Sequence, residues 1–210
     1  MCRTCLRRER ESRVPSSYGN RQKHESTNPI QQALIGHFHN RLVEVVRGLN
    51  PSEILDVGCG EGYTLAALRA GGIRCPMSGI DFSAEAIELA KQRVPDATFE
   101  VEDALVVAEA GRKYDLVLMT EVLEHIPSPE RMLPVLETIA KRYVVTSVPW
   151  EPFFRGLNFL RGKHITAFGN DPEHINHWGR GSFLRFMGQR FAVREAPMVF
   201  PWTLVATERT

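Results

Sequence analysis

The run Ile54-Leu55-Asp56-Val57-Gly58-Cys59-Gly60-Glu61-Gly62 decides the fold. A short apolar stretch ending on a carboxylate reads as a buried strand. Three alternate glycines then turn the chain into a helix expected from Tyr63 to about Ala70. Glycine permits positive φ angles, a tight turn and close approach of backbone to a ligand. Two nucleotide-binding readings compete for such a turn. The dinucleotide fingerprint needs G-x-G-x-x-G, and Tyr63 stands where its third glycine belongs. Asp56 would also repel a pyrophosphate. A ligand carrying positive charge suits the turn better; a plain strand–helix turn with no ligand is the alternative.

Outward from that run, strands and helices alternate, which predicts a mainly parallel sheet. Strands are expected near 53–57, 77–81, 97–101, 114–119, 142–148, 191–198 and 202–208, the last two forming a hairpin around Pro201. Upstream, Ile30, Ala33, Leu34, Phe38, Leu42, Val45 and Val46 recur at helical intervals and predict a helix over 30–48. The second strand ends Gly79-Ile80-Asp81-Phe82-Ser83, with Ser83 placed to cap the next helix. Asp81 lies about 19 residues past Gly62, the span at which an acid reaches ribose hydroxyls. The third ends Val101-Glu102-Asp103-Ala104-Leu105. Each motif follows a strand, where an open parallel sheet binds its ligands.

Asp56, Gly58, Gly60 and Gly62 form D-x-G-x-G-x-G, and at this point the chain resembles the class I S-adenosylmethionine-dependent methyltransferases. Their cofactor carries a sulfonium and an ammonium and no phosphate. The resemblance implies an α/β fold, a Rossmann-like doubly wound seven-stranded mainly parallel sheet with a C-terminal antiparallel hairpin. It implies that the glycine backbone, Cys59 included, lies against the methionine and ribose portions. Asp56 would hold the amino-acid end, Asp81 the ribose, and Phe82 would stack near the adenine. Asp103 would accept from the adenine amino group, with the Ala104 amide against the ring. The Cys59 side chain itself reads as packing.

The fourth strand runs into Thr120-Glu121-Val122-Leu123-Glu124-His125-Ile126-Pro127. In a helical turn, Glu121, Glu124 and His125 would share a face at i, i+3 and i+4. Three readings stand. His125 is a general base for an acceptor hydroxyl, its ordinary pKa lying near neutrality. The three hold a hard divalent ion such as Mg²⁺. Or they are structural, with Thr120 and Glu121 bonding the cofactor. The segment is similar to that of quinone-biosynthesis O-methyltransferases, where the matching residues hold a metal, and to that of metal-free relatives. No metal is assigned.

Residues 149–180 read as an insert forming the acceptor pocket, since a loop of this length in a compact domain is usually functional. Trp150, Phe153, Phe154 and Phe159 would supply an apolar wall, and Arg155, Arg161 and Lys163 would meet an anionic group or simply be solvated. His174 and His177 follow His125 as candidate bases; alone, such histidines are more often loop anchors. Together with the E-x-x-E-H residues they resemble the small-RNA 2′-O-methyltransferases, whose other signatures are not evident.

The 210 residues carry a net charge of +1, with 43% hydrophobic and 24% charged residues, the composition of an ordinary globular chain. That balance gives little support to a nucleic-acid groove. It conceals a basic head: residues 1–23 hold seven basic and two acidic side chains. Residues 1–27 read as a basic, partly disordered arm, with 18–28 a candidate lid, and 28–210 as the catalytic domain. Cys2-x-x-Cys5 has the spacing of half a zinc site without a second pair. No stretch has signal-peptide or membrane-spanning character, so a cytoplasmic protein is expected. The expectation is methyl transfer to a small-molecule acceptor, most readily a hydroxyl, with oligomeric state left open. RNA or protein methylation, or a non-catalytic cofactor-binding partner subunit, are the rivals.

Overall fold

The computed structural model describes residues 28–150 and 175–210. The arm over 1–27, with its candidate lid and Cys2/Cys5, and most of the insert lie outside the described residues.

Helix α1 (Pro29–Leu49) starts where Asn28 accepts hydrogen bonds from the Ile30 and Gln31 amides, and Pro29 occupies the first turn. It stops at Asn50, which adopts the left-handed conformation. Its apolar stripe is buried from Phe38 onward, whereas Ile30 and Ala33 remain exposed. The order then runs β1 (Ile54–Val57), α2 (Tyr63–Ala70), β2 (Met77–Asp81), α3 (Ala84–Arg93), β3 (Thr98–Val101) and α4 (Ala104–Glu109). It continues with β4 (Tyr114–Thr120), α5 (Met132–Ile139), β5 (Ala140–Pro149), α6 (Arg180–Met187), β6 (Phe191–Glu195), β7 (Met198–Val199) and β8 (Trp202–Arg209). Ser83 caps α3 through the Ala86 amide, as its position predicts.

The sheet order is β3-β2-β1-β4-β5-β8-β6, with β7 also paired to β8. Strands β1 to β5 are parallel, and β8 runs antiparallel to β5, β6 and β7. This is the doubly wound, mainly parallel sheet with an antiparallel C-terminal hairpin that the sequence predicts. One detail differs: the stretch 191–198 is two strands, making eight among the described residues. The β6 ladder shifts register between Val193 and Glu195, and Pro197 just beyond has no amide to donate.

Apolar side chains fill both faces. On one, Phe38, Leu42, Leu65 and Ile87 from α1, α2 and α3 pack on Ile54, Leu116, Leu118, Val145 and Leu204. On the other, Val107, Leu136 and Phe183 from α4, α5 and α6 pack on Leu55, Val117, Val144 and Val205. Each fully buried side chain of this size contributes about 1.5–3 kcal/mol. The parallel strands β1 and β4 lie side by side while their chain directions wind outward oppositely, so the crevice at their carboxyl ends is the switch point. Among the described residues, no helix is long and apolar enough to cross a membrane.

Candidate active site

The glycine turn emerges at the carboxyl end of β1. The amides of Gly58 and Cys59 both donate to Ile80 O, at 2.9 and 3.0 Å, tying the turn to β2. Gly58, Gly60 and Gly62 have φ of 72°, 50° and 79°, a region only glycine enters without strain. A Cβ on Gly58 would lie 2.5 Å from Val122 Cγ2, and one on Gly62 would lie 3.1 Å from Ala90 Cβ. The turn therefore fits closely between α3 and the segment after β4.

Asp56 is 1% exposed, and among the described residues neither carboxylate oxygen has a hydrogen-bond partner. Burial, reinforced by nearby Asp81, raises its pKa from the ordinary 3.8 to about 8. Asp81 is held differently: Oδ2 accepts from the Gly60 amide and Oδ1 from the Ser83 amide, both at 2.9 Å. Glu61 is buried too. The Cys59 thiol points into the core, where a Cβ on Gly79 would meet both Sγ and Phe99 at 2.8 Å, and burial pushes its pKa up. Only the backbone of Cys59 belongs to the turn.

Further along the rim, Phe82 is 61% exposed, Val101 and Leu105 are exposed as well, and the Glu102 amide bonds Asp81 O. Asp103 caps α4 by accepting from the Leu105 amide at 2.9 Å, and Ala104 is buried behind it.

The segment after β4 departs from the helical turn considered above. Glu121 has φ 57°, so it swings out of line, and a short 3₁₀ turn follows only at Leu123–His125. Thr120 Oγ1 is 3.5 Å from Thr64 Oγ1 at the start of α2. The Glu121 carboxylate accepts from Ser147 Oγ at 2.9 Å and from Trp202 Nε1 at 2.8 Å. Glu124 is buried, with Oε1 4.0 Å from the half-exposed His125 Nε2. Among the described residues, no group of three His, Cys, Asp or Glu side chains is placed to hold a metal; the positive φ of Glu121 is the physical reason that it leaves the face of Glu124 and His125.

Two partners of this segment carry no motif in the sequence. The amides of Ile175 and Asn176 donate to Glu124 O, and Asn176 Nδ2 donates to Leu123 O at 3.1 Å and Ile126 O at 2.6 Å. His177 is next to this clip and exposed. Trp150 packs edge-on to Phe200. His174, Phe153, Phe154, Arg155, Phe159, Arg161 and Lys163 lie outside the described residues.

The arrangement fits a cationic nucleoside: a buried acid with no hydrogen-bond partner among the described residues, a glycine turn with no room for side chains at Gly58 and Gly62, and an exposed aromatic ring at the rim. A methyltransferase-domain family model matches residues 29–191. The ubiquinone biosynthesis O-methyltransferase of Nitrosomonas europaea is 33% identical over 169 residues, covering 71% of this chain and 70% of that protein. Its counterpart in Coxiella burnetii is 26% identical over 173 residues, covering 73% and 72%. Among solved structures, magnesium protoporphyrin IX methyltransferase of Synechocystis with bound S-adenosylhomocysteine superposes with a TM-score of 0.70 at 20% identity, covering 92% of this chain and 93% of that one. The methyltransferase domain of bacterial CtHen1 gives 0.61 at 21% identity, covering 83% and 99%. Motif, topology and relatives agree: the chain belongs to the methyltransferase-domain family and is a class I S-adenosylmethionine-dependent methyltransferase.

Proposed function

We propose that the chain methylates a hydroxyl of a small-molecule acceptor. The observation that carries this reading is the pairing of a buried acid, without a hydrogen-bond partner among the described residues, at the β1 turn with a tightly bonded Glu121–His125 segment across the switch point. Similarity to O-methyltransferases of ubiquinone biosynthesis supports oxygen as the methylated atom.

When bound, S-adenosylmethionine supplies an electrophilic methyl group on sulfur. Asp56 would hold its amino-acid end, the glycine backbone would lie against the methionine and ribose portions, Asp81 would hold the ribose hydroxyls, and Phe82, Asp103 and Ala104 the adenine. The chain's task is then alignment and exclusion of water, since an in-line displacement needs little else. A hydroxyl acceptor carries a proton that must leave. His125 Nε2 is the leading group to take it, with His177 and His174 behind it.

The test is methyl transfer from labelled cofactor to three probes: an alkyl ester of 3,4-dihydroxybenzoate, an RNA oligonucleotide and a protein extract. Methyl ether formed on the catechol alone supports the proposal, and incorporation into RNA or protein alone removes it. His125→Ala should lower turnover about 100-fold or more if His125 is the base. Activity lost with chelator and regained with magnesium would replace that role by metal binding at the same segment.

A further inference from the structure

Two donors among the described residues hold the Glu121 carboxylate, and both come from one side of it. Ser147 sits on β5, opposite Thr120 in the parallel ladder, and Trp202 opens β8, opposite Pro149 at the end of β5. The candidate cofactor acids Asp56, Asp81 and Asp103 belong to β1, β2 and the turn after β3. Strand β4 separates the two groups in the sheet. The Glu121 side chain therefore leans away from the glycine turn, toward the half of the sheet on which the insert after β5 begins.

This lean is built in. A left-handed backbone at a non-glycine residue costs free energy and persists only where the surroundings fix it. Here one carboxylate oxygen accepts from buried Ser147 Oγ and the other from Trp202 Nε1, and the Glu121 amide bonds Ser147 O at 3.1 Å. Trp202 is itself wedged against Phe38 of α1, with ring centroids 5.2 Å apart. A carboxylate oxygen has further lone pairs after accepting one bond. The two donors thus hold the carboxylate, an acceptor of about four lone-pair sites, in one orientation.

We propose that Glu121 faces the methyl acceptor rather than the cofactor, receiving a hydroxyl or other donor of that molecule, and that Ser147 and Trp202 are positioning residues that aim its carboxylate. The inference rests on the O-methylation reading and adds the residue that orients the substrate, by the same preorganisation that makes fixed hydrogen-bonding groups effective in active sites.

The experiment compares Ser147→Ala, Ser147→Thr and Trp202→Phe with the unaltered protein. Trp202→Phe keeps a ring against Phe38 and loses the N–H; Ser147→Thr keeps the hydroxyl. S-adenosylhomocysteine affinity is read by calorimetry, and kcat/KM by methylation of the 3,4-dihydroxybenzoate ester at saturating cofactor. Ser147→Ala and Trp202→Phe should each lower kcat/KM for the catechol about 10–100-fold, the size of a lost charged hydrogen bond. S-adenosylhomocysteine affinity should stay within about twofold, less than the loss of one hydrogen bond would cause, and Ser147→Thr should regain most of the lost rate. Weakened S-adenosylhomocysteine binding with an unchanged catechol KM overturns the proposal, because Glu121 then serves the cofactor. Unchanged rates in both variants overturn it as well, and Ser147→Ala decides if Trp202→Phe does not fold. An unaltered protein that makes no methyl ether from the catechol removes the O-methylation reading and this inference with it. Turnover retained equally by all variants removes this inference alone.

Discussion

Asp56 and Asp81 end adjacent parallel strands and serve the same glycine turn in opposite states. Asp81 spends both oxygens on the Gly60 and Ser83 amides, whereas buried Asp56 bonds nothing among the described residues. The first is a structural brace that still offers lone pairs. The second is an acid kept neutral until a cation arrives, because burial and the Asp81 charge hold its pKa near 8.

A cofactor bearing positive charge favours the ionised form of Asp56, so binding should release a proton. Affinity should rise from pH 6 to 7.5, and calorimetry in buffers of different ionisation heat should detect the proton. Asp56→Asn should flatten that dependence and weaken binding about tenfold or more, as expected for a lost charge-assisted contact. The same substitution should stabilise the free protein. Between the unfolded value near 4 and the folded value near 8, the native state binds the extra proton, so stability falls as pH rises through that window. The slope is about 1.4 kcal/mol per pH unit. Asp56→Asn lacks it, and its advantage in thermal melting should grow from pH 5 to pH 8 and then level.

Gly58→Ala should destabilise the protein by about 2–4 kcal/mol, combining a clash with the cost of a left-handed backbone. The clash is specific, since the new methyl would sit 2.5 Å from Val122 Cγ2. Val122→Ala in the same chain should therefore recover part of the loss and leave the backbone part. A double-mutant cycle by chemical denaturation reads the coupling between the glycine turn and the segment after β4; additive effects would show that the two do not touch.

Much of this was legible in the residues. The D-x-G-x-G-x-G run fixed a strand, a turn and a helix because glycine is required where φ is positive, and Asp81 followed at the expected span. Ser83 and the stripe on α1 were equally local signals. What the sequence hid was long-range. Ser147 lies 26 residues from Glu121 and Trp202 lies 81 residues away, and only the order of β4, β5 and β8 brings them together. Its one local trace is a polar residue at 147 on the strand face that carries Tyr143 and Val145 in the core. The helical-turn reading of Glu121 failed because i, i+3, i+4 spacing presumes a right-handed backbone. The break between β6 and β7 could have been read from Pro197.

At the opposite end of β4 the chemistry is structural. Asp115, 4% exposed, accepts from Arg142 at 2.5 and 2.6 Å and from the Ser52 amide at 2.7 Å. The Arg142 guanidinium is the main cause that holds its pKa down near 2, with Ser52 assisting. A depressed acid contributes stability that is complete above its unfolded value near 4 and is lost as pH falls toward 2. Asp115→Asn should cost about 1–2 kcal/mol at pH 7, discounted because Arg142 is half exposed. It should blunt the acid limb of a melting curve and leave cofactor affinity unchanged.

Asn176, near the C-terminal end of the 149–180 stretch, bonds the E-V-L-E-H segment. Its side-chain amide closes on Leu123 O and Ile126 O, and its own amide joins that of Ile175 on Glu124 O. The 3₁₀ turn carrying His125 is thus clipped by one side chain and two backbone amides. Removing that side chain leaves the Ile126 carbonyl without this donor and Leu123 O with the Ile126 amide alone, which costs about 1–3 kcal/mol. Asn176→Ala should lower stability by that amount and reduce kcat more than cofactor affinity, because the turn it releases holds His125 while the glycine turn is untouched. Asn176→Asp keeps the shape and loses the donor, so it should behave like alanine. Full activity in Asn176→Asp would show that the amide hydrogens do not set the position of His125.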